Sequence, residues 1–235
     1  MKIKVIKIGG KLIENAEILA SLCDHLASLG EAFVLVHGGG VMGSHLAEQL
    51  GVEVKMHEGR RITDAATLDI AVMAYAGLAN KRVVSALQAR GVNACGLSGC
   101  DMAVVKSRRR AVKDIDWGFV GDVDKADGRV LAMLLDAGAV PVVSPITFSP
   151  EGELLNTNAD SVASAVAMGL ASKYEVELVF TNAGKEYTVK RSPEYVRAKT
   201  RGEGTTKIGT KAELTLPDGA VVTVVKEVNQ SIRDI

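Results

Sequence analysis

Two apolar runs near the start of the chain are each cut off by glycine. Lys2–Ile8 runs into Gly9-Gly10, and residues 32–36 run into His37-Gly38-Gly39-Gly40. Between them, residues 14–29 place Ile18, Leu19, Leu22, Leu26 and Leu29 at helical spacing and stop at Gly30, and residues 41–50 read as a second helix. Strand, helix, strand, helix in this rhythm requires crossover connections, so it predicts a mostly parallel sheet with helices on its faces. In such a sheet ligands lie beyond the carboxyl ends of the strands. Glycine there lets backbone N–H groups approach a ligand oxygen, and the helices that follow favour negative charge. Two such turns side by side predict an anion cradle with two walls.

The pattern continues downstream. Residues 64–90 form a long helical stretch, capped at Thr63 or Asp64 and ended by Gly91. Its middle, Ala74-Tyr75-Ala76-Gly77-Leu78-Ala79, is rich in small residues and suits packing against another helix, within the domain or across a subunit interface. Residues 93–97 read as a strand. Residues 103–106 and 111–113 flank Ser107-Arg108-Arg109-Arg110 and suggest a basic hairpin with the arginines in a solvated turn. Residues 125–137 read as a helix and 139–143 as a strand. Asn156-Thr157-Asn158-Ala159-Asp160 precedes an alanine-rich helix ending at Leu170, and residues 175–180 alternate as a strand. After Thr181 the helix signals weaken, and only residues 221–225 read as a strand. These shifts predict two lobes, 1–171 and 172–235.

Composition removes several classes. Lys plus Arg and Asp plus Glu balance at 28 each, which leaves no general nucleic-acid footprint. Cys23, Cys95 and Cys100 make no C-x-x-C pair, and His25, His37, His45 and His57 make no H-E-x-x-H arrangement, so neither a disulfide frame nor a zinc site is expected. Lysines alternate with Ile and Val in MKIKVIKIGG, which reads as a strand and not a signal peptide; no apolar run is long enough to cross a bilayer. A cytoplasmic protein is the expectation.

Two phosphate templates can be tested. The P-loop is absent, since Leu12 follows Gly10-Lys11 and Val5 stands where its first glycine belongs. The dinucleotide pattern G-x-G-x-x-G is met by Gly38, Gly40 and Gly43, with Glu58 or Asp64 as a ribose partner. A run of three glycines meets that pattern easily. It leaves Lys7, the first glycine turn and the asparagine–aspartate cluster unexplained.

Lys7-Ile8-Gly9-Gly10, His37-Gly38-Gly39-Gly40, Gly59-Arg60-Arg61-Ile62-Thr63 and Asn156-Thr157-Asn158-Ala159-Asp160 stand in an order and at separations that resemble the amino acid kinase family, within it the kinases of N-acetylglutamate. The resemblance covers residues 1–181. It implies a three-layer α/β/α sandwich with a mostly parallel open sheet, and transfer of a phosphoryl group from ATP with Mg²⁺ to the side-chain carboxylate of an N-acylated glutamate, in arginine biosynthesis. N-succinyl-glutamate is an alternative acceptor, and a catalytically inactive acylamino-acid-binding protein an alternative function. By the resemblance, Lys7 lies against the transferring phosphoryl group, Gly10 and Gly39 donate to its oxygens, and Asp160 orients Lys7 and a second lysine. Gly39, Gly40, Arg61, Asn156 and Asn158 bind the amino-acid substrate, Arg61 through its α-carboxylate, while Asn158 shares that role or caps the next helix. No residue is expected as a dedicated metal ligand.

The carboxyl-terminal part departs from the family. Where the family has a Thr-Asp pair stands Thr181-Asn182, and where it has Gly-Met-x-x-Lys stands Thr206-Lys207-Ile208-Gly209-Thr210-Lys211. The resemblance therefore offers Lys211 as the second catalytic lysine, with Lys207 the alternative, and Thr181, Asn182, Lys207 and Lys211 as nucleotide contacts in a shortened, divergent lobe. A homodimer through the helix after Thr63 is expected. A first strand at residue 2 leads to an expectation of no strong arginine inhibition, because the arginine-inhibited hexameric members carry an N-terminal helical extension.

Overall fold

A computed structural model describes residues 2–172, 174–182, 185–198 and 205–234; the side chains of 180–182, 195–198, 205, 206, 233 and 234 lie outside that description. In chain order the elements begin β1 (Lys2–Ile8), α1 (Gly10–Glu14), α2 (Ala16–Ser28), β2 (Ala32–His37), α3 (Gly40–Gln49), β3 (Met56–His57) and β4 (Arg60–Arg61). Next come α4 (Ala65–Ala71), a π-helical stretch (Val72–Ala79), α5 (Asn80–Gln88), β5 (Ala94–Leu97), β6 (Val105–Arg109), β7 (Val120–Ala126), α6 (Gly128–Asp136) and β8 (Val140–Val143). β9 (Ile146–Phe148), β10 (Leu154–Thr157), α7 (Ala159–Leu170) and β11 (Glu175–Asn182) complete the first region. The remainder is β12 (Lys185–Ser192), β13 (Tyr195–Ala198), β14 (Thr205–Ile208), β15 (Lys211–Thr215), β16 (Val221–Val222) and α8 (Val225–Asp234).

The main sheet has eight strands in the order β16-β15-β12-β11-β1-β2-β8-β5. β11, β1, β2, β8 and β5 are parallel, as the glycine-ended strands predict, while β12, β15 and β16 add antiparallel. β2 shows why its sequence is apolar throughout: Val34 and Val36 face the core under α6 and α7, and Phe33 and Leu35 face the core under α2 and α5. The same alternation in β1 sends Ile3 and Val5 toward α7 and leaves Lys7 on that side at the strand's end. Pairing of β11 with β1 carries the sheet straight through residue 171, so the two regions share one sheet.

Several local expectations change. The first helix is divided at Asn15, whose side chain caps α2 by accepting from Ile18 N at 3.0 Å. Residues 125 and 126 finish β7, and α6 starts after Asp127. The arginine run is not a solvated turn. Arg108 and Arg109 lie on β6, Arg110 follows, and the run pairs with Asp124 (2.9 Å), Glu153 (3.6 Å) and Asp122 (2.6 Å) respectively. β6 and β7 belong to a small closed barrel with β9 and β10. Beyond residue 182 the described residues form five strands and a helix, and the expected strand at 221–225 stops at Val222. Val189, Ala212, Leu214 and Val228 give this part a small core of its own.

Candidate functional site

The carboxyl ends of β1 and β2 bring the two glycine turns into contact. Gly38 N donates to Ile8 O at 2.9 Å, which docks the second turn on the first strand. A Cβ on Gly10 would lie 3.1 Å from both N and Cα of Gly39, and one on Gly38 would lie 3.2 Å from Gly10 N. The missing side chains thus allow two backbones to meet. Gly39 also receives the ring of Tyr75, since a Cβ there would lie 2.4 Å from Tyr75 Cδ1. The same ring accounts for Gly43, where a Cβ would lie 2.8 Å from Cε1. The third glycine of the literal dinucleotide pattern therefore makes room for a helix side chain. Gly40 meets nothing and opens α3, whose first N–H groups have no helical partner.

Lys7 Nζ pairs with Asp160 Oδ1 at 3.0 Å. Asp160 is placed by Asn158, whose Oδ1 accepts from Asp160 N at 2.7 Å and Ser161 N at 3.1 Å and so starts α7. The cap expected of Asn158 is formed. Asp160 then stands in the first turn of α7, where a carboxylate is favoured by the helix dipole.

Arg61 reaches back over α3. Its Nη2 donates to Gly40 O at 3.0 Å and to Ser44 Oγ at 2.8 Å. Thr63 is buried and clamped to the β6–β7 connection through Thr63 N to Trp117 O (3.1 Å) and Phe119 N to Thr63 O (2.7 Å). Asn156 Nδ2 donates to Thr63 Oγ1 at 3.0 Å. Together with the short chain segments between them, these contacts make a closed path. The path runs from Lys7 through the glycine turns to Gly40 and Arg61, then by Thr63 to Asn156, Asn158, Asp160 and back to Lys7. Lys7, Gly10, Gly39, Gly40, Arg61, Asn156, Asn158 and Asp160 are thereby brought together.

The two lysines expected from the last region lie on its antiparallel strands. Lys211 pairs with Ser192 and Arg191 with Val176, so Lys211 stands level with Glu175 and Lys2. That is five residues before Lys7, roughly 16 Å down the strands. Lys207 lies on the β13–β14 hairpin, which follows from that same edge, and its Nζ is taken by Glu194 at 2.7 Å. Antiparallel strand addition reverses the chain and carries Lys211 away from the glycine turns. Thr181 and Asn182 follow Val179, the partner of Ile6, so their backbone reaches the edge that holds Lys7; their side chains lie outside the described residues. Among the described residues no group of three or more His, Cys, Asp or Glu is placed to hold a metal, and no helix is long and apolar enough to cross a membrane.

Sequence reasoning missed two contributors. Tyr75 covers the glycines, and Asn80 Nδ2 lies 3.0 Å from His37 Nε2 across 43 residues of sequence. Neither distance leaves a local periodicity to read. Burial pushes the Tyr75 phenol up, opposed by the Arg61 charge. His37 is forced down to about 4, chiefly by burial, with the Lys81 charge acting in the same sense and its bond to Gly38 O against it.

A parallel sheet with paired glycine turns, a lysine–aspartate pair and an arginine over the next helix is suited to holding a phosphoryl group, and the amino acid kinase family model matches residues 2–182. The chain belongs to that family. It is 50% identical over 179 residues to the acetylglutamate kinase of Bacteroides thetaiotaomicron, covering 76% of this chain and 70% of the relative. It is 47% identical over 180 residues to the acetylglutamate kinase of Cytophaga hutchinsonii, covering 76% and 68%. Among solved structures, smu.665 from Streptococcus mutans matches at a TM-score of 0.65 with 30% identity, covering 78% of this chain and 73% of that one. The N-acetylglutamate synthase of Neisseria gonorrhoeae, complexed with coenzyme A and N-acetyl-glutamate, matches at 0.61 with 29% identity, covering 72% and 39%.

Proposed function

We propose that the protein phosphorylates the side-chain carboxylate of N-acetyl-L-glutamate with MgATP, giving an acyl phosphate and ADP, as a step of arginine biosynthesis. The observation that carries this reading is the closed circuit of contacts from Lys7 through Arg61 and Asn156 to Asp160; the acetylglutamate kinase relatives supply the acceptor. The substrate carboxylate oxygen bonds to the γ-phosphorus as the bond from that phosphorus to the bridging oxygen breaks, and ADP leaves. Because the acceptor brings its own nucleophile, the protein's part is positioning and charge neutralisation. Lys7 offsets charge on the phosphoryl group while Asp160 holds its ammonium in place. Gly10 and Gly39 present backbone N–H groups to the equatorial oxygens. Arg61, fixed through one nitrogen on Gly40 O and Ser44, offers the rest of its fork to the α-carboxylate. Asn156 takes the acylamide, and Mg²⁺ rides on the ATP phosphates.

The partner for subunit assembly in this reading is a second copy, through the helical stretch 65–88, where Met73 and Leu78 remain 49% and 44% exposed. The position of Lys211, level with Lys2 and not with Lys7, favours one second reading, an acylamino-acid-binding protein without turnover. A single assay separates the two: ADP release with MgATP, with and without N-acetyl-L-glutamate, trapping the product with hydroxylamine. Acceptor-dependent ADP matched by hydroxamate is the expected outcome. Calorimetric binding of N-acetyl-L-glutamate with no ADP and no hydroxamate would give the second reading.

A further inference from the structure

We infer that His37, fixed from behind by Asn80, is a positioning residue that turns the Gly38–Gly39 peptide so that the Gly39 N–H faces the transferring phosphoryl group. The inference rests on the phosphoryl-transfer reading of the site and adds to it a residue that touches neither substrate. His37 continues the Phe33–Leu35 face of β2, away from Lys7, and is fully buried. Its Nδ1 lies 2.8 Å from Gly38 O and its Nε2 lies 3.0 Å from Asn80 Nδ2.

The network assigns the proton. Asn80 Nδ2 also donates to Val142 O at 2.9 Å, while Asn80 Oδ1 accepts from Lys81 Nζ at 3.1 Å. A flipped amide would set its oxygen against the Val142 carbonyl and its nitrogen against the ammonium, so the orientation is determined. An amide NH₂ only donates, hence Nε2 of His37 is the acceptor and Nδ1 carries the hydrogen. That hydrogen goes to Gly38 O. In a trans peptide the carbonyl and the following N–H point in opposite directions. Drawing Gly38 O inward therefore sends Gly39 N–H outward, where among the described residues it has no acceptor.

A histidine suits the task for a second reason. The charged group that bears on the ring is Lys81 of α5, and together with burial it keeps the ring neutral through the physiological range, with a pKa of about 4. The Nδ1–H tautomer, and with it the peptide orientation, is constant there.

Asparagine and glutamine separate this role from plain packing, because the Asn amide nitrogen takes the place of Nδ1 and the Gln amide that of Nε2. With melting temperatures measured for both variants, His37→Gln lowers kcat on the order of 10²-fold, the loss typical of an oxyanion donor. KM for N-acetyl-L-glutamate changes little, and His37→Asn recovers most of kcat. Equal kcat in the two variants would overturn the inference. Two NMR readouts do not depend on turnover. In wild-type protein the His37 ring nitrogens report the Nδ1–H tautomer at pH 7.5; an Nε2–H ring overturns the inference even where a variant fails to fold. On addition of N-acetyl-L-glutamate and a non-hydrolysable MgATP analogue, the Gly39 amide signal shifts in wild type and His37→Asn and not in His37→Gln. A wild-type protein that makes no hydroxamate yet shows this pattern would retire the kinase reading and keep the positioning role. An unresponsive Gly39, or one equally responsive in His37→Gln, would do the reverse.

Discussion

Residues 2–182 and residues 185–234 extend the same sheet by opposite rules. In the first region the strands of the main sheet run parallel, and the turns after β1, β2 and β10 meet at one site. In the second, β12 runs back antiparallel on β11, and β15 and β16 add antiparallel beyond it. The match to the amino acid kinase family ends at Asn182, where that reversal begins. Antiparallel addition covers the outer side of β11 and leaves β16, two residues long, as the edge, which limits pairing with other chains. It also delivers Lys211 to the end of the sheet away from Lys7. This second region completes a fold edge, while the residues proposed for the acceptor side all lie in the first.

Four experiments break or sharpen that contrast. The largest effect is expected on the acceptor side: Arg61→Ala removes one partner of a charged recognition pair, at about 2–5 kcal/mol. KM for N-acetyl-L-glutamate should rise on the order of 10²-fold or more, with a smaller change in KM for ATP; steady-state kinetics in both substrates check it. An unchanged acceptor KM would remove Arg61 from the site.

Next is the buried ring. The unfolded chain protonates His37 near its ordinary value of 6.5, whereas the native ring stays neutral to about 4. Between these values the unfolded state binds the extra proton, so stability is full above pH 6.5 and falls as pH drops toward 4. The contribution is on the order of 3 kcal/mol. Urea unfolding at pH 7.5 and 4.5 should show this loss in wild type and not in His37→Asn; identical pH slopes would contradict it.

Gly43→Ala should cost about 1–3 kcal/mol, because the added methyl meets the Tyr75 ring and must displace it. A melting temperature equal to wild type would mean that Tyr75 is not held on the glycines. The smallest effect belongs to the second region. Lys207 and Glu194 form an exposed ion pair, so Lys207→Ala should change stability by less than about 1 kcal/mol and leave kcat within roughly twofold. A large kcat loss would return the hairpin to the catalytic machinery.

The contrast also governs what the sequence discloses. β2 is legible because both its faces are buried, β1 because lysine alternates with Ile and Val, and glycine ends each run. Lys7, Arg61, Asn156 and Asp160 come together from segments far apart, and it is the family resemblance, not periodicity, that joins them. In β12 the inward residues Tyr187, Val189 and Arg191 include only one small aliphatic side chain, and Arg191 is satisfied by Asn229 Oδ1 at 2.6 Å. A strand that turns an arginine inward shows little hydrophobic alternation. Val221 to Val225 reads as a strand because valine favours one, yet Val225, Val228 and Ile232 recur at helical spacing and pack against β15. The His37–Asn80 bond leaves no trace in the chain at all, since it exists only once β2 and α5 are packed.

The most direct test of the account compares Lys7→Ala with Lys211→Ala in the hydroxamate assay, alongside wild type, after both variants are shown to fold. The account predicts that Lys7→Ala loses at least about 10²–10³-fold in acyl phosphate formation, as expected for removing a group that stabilises transferring charge, while Lys211→Ala stays within roughly twofold. An equal loss in the two variants would contradict it, and would place the carboxyl-terminal region over the glycine turns during the reaction.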